Sequence, residues 1–206
     1  MVKHTHAIYM DHASATPIDA RVRAAMAPFL GEDFANPESL HEWARGPAEA
    51  LERARRQVAE LIGGQADGII FTAGDSEARN LAVKGIHSAN RHDGGHIVAT
   101  AVDHPAVLAA CRATQRTGGE LTLVGVDAQG RPDPHAMAAA IRDDTVLVSM
   151  PHAQAEIGTV LDVATIIAAI RRRAPQVAIH VDAGASAGLV PIDVQSETYT
   201  HAGYSV

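Results

Sequence analysis

Short apolar runs alternate with amphipathic stretches along the chain from Gly68 onward. Each run is apolar at nearly every position, which is typical of strands buried on both faces of a sheet. Five such runs predict strands, over residues 69–72, 96–100, 121–124, 145–149 and 177–181. Between them, helical spacing predicts helices over residues 76–89, 105–117, 134–141 and 162–173. This alternation predicts an α/β fold with a mostly parallel sheet covered by helices.

The first 65 residues have a different pattern. Helical spacing predicts two helices, over residues 18–30 and 42–62, joined by a loop over 31–41. No strand pattern occurs here, so these residues are expected to form an arm that covers the sheet or contacts a second subunit. The predicted organisation is an N-terminal helical arm over residues 1–65 and a parallel α/β domain over residues 66–206, together one structural unit.

Composition and charge narrow the class of protein. The chain has 206 residues, 47% of them hydrophobic and 20% charged, as in ordinary globular proteins. No apolar run reaches the roughly 20 residues of a membrane span, and residues 1–6 lead into no signal-peptide core, so we expect a cytoplasmic protein without membrane contact. The net charge of −7, with no basic stripe, argues against a nucleic-acid partner.

Few residues are available for amine or thiol chemistry. The only cysteine is Cys111, which excludes an internal disulfide and is expected to be a small buried side chain within a helix. The only lysines are Lys3 and Lys84. Glu77 and Arg79, at a predicted helix start, are expected to serve the helix dipole and solvent. The histidines at positions 87, 92 and 96, with those at 4 and 6, are loosely spaced, and the region around residues 93–95 is interpreted as a polar loop, so no metal site is predicted.

Polar side chains follow the ends of several predicted strands. Gly74 and Ser76 stand at a helix start, which is a geometry that can hold a phosphate. His104 follows the second strand, Gln154 the fourth and Asp182 the fifth. Because ligands of parallel sheets bind beyond the carboxyl ends of the strands, these side chains are expected to converge at one rim.

Six segments, in order along the chain, carry a family resemblance. Residues 9–17 (YMDHASATP) and 35–41 (ANPESLH, similar to GNPSSLH) come first. Residues 69–82 are similar to IIFTSGGTEANNLA and residues 103–107 to EHPAV. Residues 152–158 are similar to HANNEIG and residues 180–193 to HVDAAQAVGKIPID. As a set they resemble the cysteine desulfurases, the pyridoxal-phosphate enzymes that take sulfur from L-cysteine.

The resemblance implies a fold-type-I cofactor domain. In that family a histidine at the position of His104 stacks on the pyridine ring. An aspartate at the position of Asp182 pairs with the ring nitrogen, so that the ring can accept carbanion electrons. A hydroxyl at the position of Ser76 binds the phosphate. With Gly74, Asp75 and Gln154, these residues are the cofactor-binding candidates for pyridoxal phosphate.

The departures from the family pattern fall on the same contacts. Asp75 replaces a glycine and would place a carboxylate beside the phosphate. Gln154 and Ala155 replace the amide pair, and Ala185 replaces the glutamine that bonds the phenolic oxygen. The lysine of the SGHK segment has no counterpart, since Ser205 falls near its position, so no internal aldimine is expected. The mobile-loop cysteine is also absent, and no catalytic residue is assigned.

Three functional hypotheses follow. The first is a cysteine-desulfurase-like protein that is incomplete as a catalyst alone and acts as a non-catalytic partner or half-subunit. The second is an enzyme that binds pyridoxal phosphate non-covalently and acts only with a second chain. The third is a truncated desulfurase. The first two imply a homo-oligomer, or a hetero-oligomer with a protein that supplies the missing half, and we predict that the chain is not a monomer. The competing expectation is that residues after Val194 fold back over the sheet edge beside residues 69–71.

Overall fold

The structure is a computed structural model, and it describes residues 7–90, 92 and 94–194, together with the backbone of residues 202–205. The chain divides into two compact units, Met1–Gln57 and Val58–Val206. Among the described residues, no helix combines the length and the apolarity needed to cross a membrane.

The first unit is helical where it is regular. Helix α1 (Ala20–Met26) begins after Asp19, whose side chain accepts a hydrogen bond from the Arg21 backbone, and a 3₁₀ turn follows over Ala27–Leu30. A second 3₁₀ turn (Glu42–Ala44) leads into helix α2 (Arg45–Leu61), which continues into the second unit. The predicted helices over 18–30 and 42–62 therefore each combine a 3₁₀ turn with an α-helix.

The second unit alternates helices and strands. Its helices are α3 (Asp75–Ala89), α4 (Pro105–Thr114), α5 (Pro134–Ala139) and α6 (Val163–Arg173). Its strands are β1 (His96–Thr100), β2 (Glu120–Val124), β3 (Thr145–Pro151), β4 (Ala178–Asp182) and β5 (Ala202–Ser205). The strands pair in the order β2-β1-β3-β4-β5, and every pair is parallel. The predicted α/β fold is confirmed.

Two layers of helices cover the sheet, with one core on each side. On one face, Val98, Val148 and Ile179 pack with side chains of α5 and α6 such as Met137 and Ile167. The opposite core joins β1 and β3 to α3 and α4, and its members are Val83, Ile97, Ala99, Val107, Ala110, Cys111, Val146 and Leu147. Because successive strand residues point to opposite faces, His180 and Asp182 lie on the same face of the sheet as α3 and α4.

The prediction of a strand over residues 69–72 is wrong. The backbone is extended at Ile69 (φ −88°, ψ 125°), but residues 69–72 form no strand in the described part of the chain. A strand requires a neighbour that completes its hydrogen-bond ladder, and the described sheet ends at β2 on one side and at β5 on the other. Ile70 is 72% exposed, so this run is not buried on both faces as its apolar character suggested.

Strand β5 was not predicted. It pairs with β4 along the edge that the sequence pattern left without a neighbour, in the register that sets residue 202 opposite Ile179 and residue 205 opposite Asp182. Residues 195–201, which connect it to Val194, lie outside the described residues.

Candidate functional site

A buried polar cluster lies on the α3 and α4 side of the sheet, toward the carboxyl ends of the strands. Strand β4 brings His180 and Asp182 to this face, and β3 adds Ser149 directly opposite His180. The Ser149 hydroxyl and His180 Nδ1 are 3.0 Å apart. Burial lowers the pKa of His180 to about 4, so its imidazole is neutral at pH 7.

The centre of the cluster is an ion pair between Arg79 of α3 and Asp182. Arg79 Nε donates to Asp182 Oδ2 over 2.7 Å, and Arg79 Nη2 donates to Asp182 Oδ1 over 3.3 Å. Both residues are buried, with exposed fractions of 6% for Arg79 and 4% for Asp182. The expectation that Arg79 faces solvent is therefore wrong. The second acidic partner is Asp75, whose Oδ2 lies 3.5 Å from Arg79 Nη1.

The orientation of α3 explains why Arg79 points inward. Arg79, Val83 and His87 are spaced four residues apart, and they are the buried residues of this helix. Residues at that spacing lie on one helix face, and Val83 anchors that face in the core with β1 and β3. Glu77 fulfils its expected role at the helix start, where its carboxylate accepts a hydrogen bond from the Ala73 backbone over 2.6 Å.

Gly184 provides the space that the guanidinium occupies. Its backbone N–H donates to Asp182 Oδ1 over 3.1 Å. A Cβ atom at position 184 would lie 2.8 Å from Arg79 Nη2 and 3.3 Å from Asp182 Oδ1. Since Gly184 is not among the glycines with positive φ, the backbone would permit alanine, and the space is limited by Arg79.

Asp103 adds a third carboxyl group. It is 4% exposed, and its Oδ2 accepts a hydrogen bond from the Thr100 backbone over 3.2 Å. Burial, and then the charge of Asp182, raise the pKa of Asp103 to about 8, so the group is protonated at pH 7. Within the described part of the chain, Asp103 Oδ1 and Thr100 Oγ1 have no hydrogen-bond partner.

The start of α3 carries three of the residues predicted to bind the cofactor. Gly74 is the N-cap, with φ 153°, and Asp75 and Ser76 are the first two residues of the helix. All three are exposed. Thr72 Oγ1 donates to the Gly74 carbonyl over 3.2 Å, and the Ser76 carbonyl accepts a hydrogen bond from Asn80.

His104 and Gln154 both have local structural partners. His104 is the N-cap of α4, and its Nδ1 accepts a hydrogen bond from the Ala106 backbone over 3.1 Å. The side-chain oxygen of Gln154 accepts hydrogen bonds from the backbones of Glu156 (2.6 Å) and Ile157 (2.8 Å). The Gln154 oxygen thus stabilises the turn after β3.

The residues considered for thiol and amine chemistry are Cys111 and Lys84. Cys111 is completely buried within α4, as expected, and burial raises the pKa of its thiol to about 12. Lys84 is exposed on α3, one residue beyond Val83 of the buried face. Among the described residues, no group of three histidine, cysteine, aspartate or glutamate side chains is arranged to hold a metal ion.

Comparison with known proteins decides the family. The aminotransferase class-V family matches residues 8–198. The chain belongs to that family. Its relatives in this class-V family include the cysteine desulfurase IscS of Anaeromyxobacter sp. (strain Fw109-5), 43% identical over 189 residues, which are 91% of this chain and 46% of that protein. The IscS of Dictyoglomus turgidum is 38% identical over 187 residues, 91% of this chain and 47% of its own length. The resemblance to cysteine desulfurases is confirmed.

Two solved structures of similar proteins have the same fold. The structure described as SspA in complex with cysteine superposes with a TM-score of 0.88 at 30% identity, and the match covers 96% of this chain and 56% of that one. The apo structure of cysteine desulfurase from Thermococcus onnurineus NA1 gives a TM-score of 0.81 at 25% identity, over 95% of this chain and 48% of that one. The chain thus spans about half the length of the relatives that it matches.

Pyridoxal phosphate is the cofactor of the class-V cysteine desulfurases, but the residues present here do not fit it. The carboxylate that would pair with the ring nitrogen already accepts two hydrogen bonds from Arg79 and one from Gly184. Asp75 places a carboxylate at the helix start that would receive the phosphate dianion. The Gln154 oxygen is held by two backbone amides.

Sequence reasoning missed Arg79, Gly184 and the protonated state of Asp103. For Arg79 a signal existed, because residue 79 lies four positions before Val83 and eight before His87, on one helix face. For Gly184 and Asp103 the sequence offers no comparable signal, since their environments depend on residues from α3 and β4 that are distant in the chain.

Proposed function

We propose that this chain is a cysteine-desulfurase-like protein that does not release sulfur from L-cysteine by itself and acts as a non-catalytic partner or half-subunit in an assembly. The observation that carries the proposal is the ion pair of Arg79 with Asp182. In the desulfurase reaction that carboxylate would keep the ring nitrogen of the cofactor protonated, so that the ring can accept electrons. Here the carboxylate is already neutralised by a side chain of the same chain.

The nucleophiles of the chain support the same proposal. Sulfur transfer from cysteine needs an accepting thiolate. Cys111 is buried in the core between the sheet and α4, where its raised pKa keeps the thiol protonated. Lys84 is exposed, and it precedes Asp182 in the sequence instead of following it.

Exposed apolar side chains support the role of a partner in an assembly. Large apolar side chains are exposed in both units, including Phe34 (72%), Trp43 (71%) and Ile70 (72%). Exposed apolar side chains of this size favour burial against another protein.

The test is an assay of the purified 206-residue chain with L-cysteine, added pyridoxal phosphate and a reductant, in which alanine is quantified by chromatography. The proposal predicts no alanine above a reaction with the cofactor and no protein. A matched reaction with the Asp182→Asn variant should give the same background. Sustained alanine formation that depends on the wild-type chain and is lost in Asp182→Asn would overturn the proposal.

A further inference from the structure

We infer that Arg79 is an internal substitute for the cofactor ring: its guanidinium takes the position of the ring cation on Asp182, Gly184 provides the space, and the chain excludes pyridoxal phosphate from this site for that reason. The inference deepens the proposed function and rests on it. The tests of this inference measure stability and ligand affinity, whereas the test of the proposed function measures cysteine turnover. Either the inference or the proposed function can therefore fail without the other.

Asp182 is already occupied by Arg79. The guanidinium contacts both carboxylate oxygens, and the Gly184 backbone also donates to Oδ1. A protonated ring nitrogen in contact with this carboxylate would bring a second cation against Arg79 in a site where both side chains of the pair are at least nine-tenths buried. Like charges in a buried site repel strongly. The ring and the guanidinium therefore compete for one partner.

Gly184 leaves room for the Arg79 side chain. In the desulfurase motifs that the chain resembles, position 79 is asparagine and position 184 is alanine. An alanine Cβ at position 184 would lie 2.8 Å from Arg79 Nη2, which is too close for two unbonded heavy atoms. The two departures thus belong together, because the Arg79 guanidinium in its observed position fills the space that an alanine methyl group at 184 would take.

Asp75 is a third residue that departs from the family motif, and it lies beside the Arg79 guanidinium. The motif has glycine at this position, and Asp75 Oδ2 here lies 3.5 Å from Arg79 Nη1. The guanidinium therefore bridges two carboxylates, one buried and one at the helix surface, with side-chain exposures of 5% and 62%. Two further departures from the family motif thus meet at the Arg79 side chain: Asp75 pairs with it, and Gly184 makes room for it.

A double-mutant cycle tests the fit between positions 79 and 184. Gly184→Ala in the wild-type background should lower the midpoint of urea unfolding, because the new methyl group displaces Arg79 from Asp182. In the Arg79→Asn background, or in Arg79→Asn/Asp182→Asn if the single variant does not fold, the same substitution should leave the midpoint unchanged. Gly125→Ala is the control, since a Cβ there meets no atom within 4 Å. An equal loss of stability in both backgrounds would overturn the inference.

Ligand affinity tests the exclusion. Pyridoxine 5′-phosphate is the probe, because it lacks the aldehyde that would react with Lys84. The Asp75→Gly/Arg79→Asn/Gly184→Ala variant should bind it at least tenfold more tightly than the wild type by calorimetric titration, and adding Asp182→Asn should abolish that gain. Equal affinities of the wild type and the triple variant, or a gain that survives Asp182→Asn, would contradict the inference.

Discussion

In the polar cluster, the buried positive charge of Arg79 is paired with the buried negative charge of Asp182. Arg79 and Asp182 are 103 positions apart in the sequence, and their contact ties α3 to the end of β4. Removing one partner of a buried ion pair leaves an uncompensated charge, which costs about 3–5 kcal/mol. Asp103 avoids that cost by remaining protonated near Asp182.

The protonation of Asp103 predicts how stability depends on pH. Its pKa is about 8 in the folded chain, above the ordinary value of 3.8, so the folded state binds a proton that the unfolded state has lost. Stability from this group is complete below the unfolded pKa and is lost as the pH rises through 8. Between pH 7.5 and 8.5 we expect the free energy of unfolding to fall by about 0.7 kcal/mol, because the slope of ~1.36 kcal/mol per pH unit is halved where the group is half-protonated.

Urea unfolding at a series of pH values measures that slope. Asp103→Asn mimics the protonated form and should flatten the curve over this range, whereas the exposed Asp67→Asn should leave it as in the wild type. This range lies a full unit above the ordinary pKa of histidine, so His96, His152 and His180, whose pKa values are lowered in the fold, are almost entirely neutral in both states. A wild-type curve that is flat or rises from pH 7.5 to 8.5 would show that Asp103 is ionised when folded.

At the scale of elements, four of the described α-helices begin with a side-chain cap. Asp19, Asp133 and Asp162 cap α1, α5 and α6 with carboxylates, whereas α4 is capped by His104. Because His104 Nδ1 accepts the Ala106 N–H, the ring is held at the helix start by a local contact. This contact gives His104 a structural role that does not depend on a cofactor.

Loss of that cap should be measurable. His104→Ala is expected to lower the free energy of unfolding by about 1 kcal/mol, the usual cost of deleting a helix cap. His104→Ser should restore most of it, because a serine hydroxyl can accept the same N–H. His135→Ala, on the exposed surface of α5, is the control. If His104→Ala and His135→Ala have the same small effect in thermal or urea unfolding, the capping role is wrong.

The elements differ in how far the sequence determines them. Residues 96–100 and 145–149 carry dense apolar runs, and both form strands at or within a few residues of the predicted bounds. Residues 69–72 have the same local pattern but form no strand, because pairing depends on a neighbour that no local pattern encodes. For the same reason β5 could not be predicted. The inward direction of Arg79 depends on which face of α3 meets the sheet, and a charged residue there is usually interpreted as exposed.

The whole molecule exposes apolar surface that a second chain could cover. In the second unit, Ile70 and Leu81 are 72% and 49% exposed and line a groove of about 450 Å³ beside α3. Contiguous apolar surface of this kind marks contact sites between proteins. It gives a structural basis for the prediction that the chain is not a monomer.

Sedimentation velocity at micromolar concentration tests that prediction. We expect a species larger than the 21.6 kDa monomer, and Ile70→Thr/Leu81→Glu should shift it toward the monomer because a charge in the groove opposes burial. Leu189→Glu is the matched control, since Leu189 is 82% exposed but does not line the groove. A folded wild-type chain that sediments as a monomer across a dilution series would show that residues of the same chain suffice to cover the sheet.

In this class-V chain Arg79 holds Asp182, and we expect that no cofactor is carried on a lysine. The most direct measurement is the intact mass of the purified chain after incubation with pyridoxal phosphate and reduction with borohydride, together with the absorbance spectrum before reduction. We expect no visible absorbance band and no phosphopyridoxyl adduct beyond that of an unrelated protein with exposed lysines. A stoichiometric adduct specifically on Lys84, with a matching absorbance band, would contradict it.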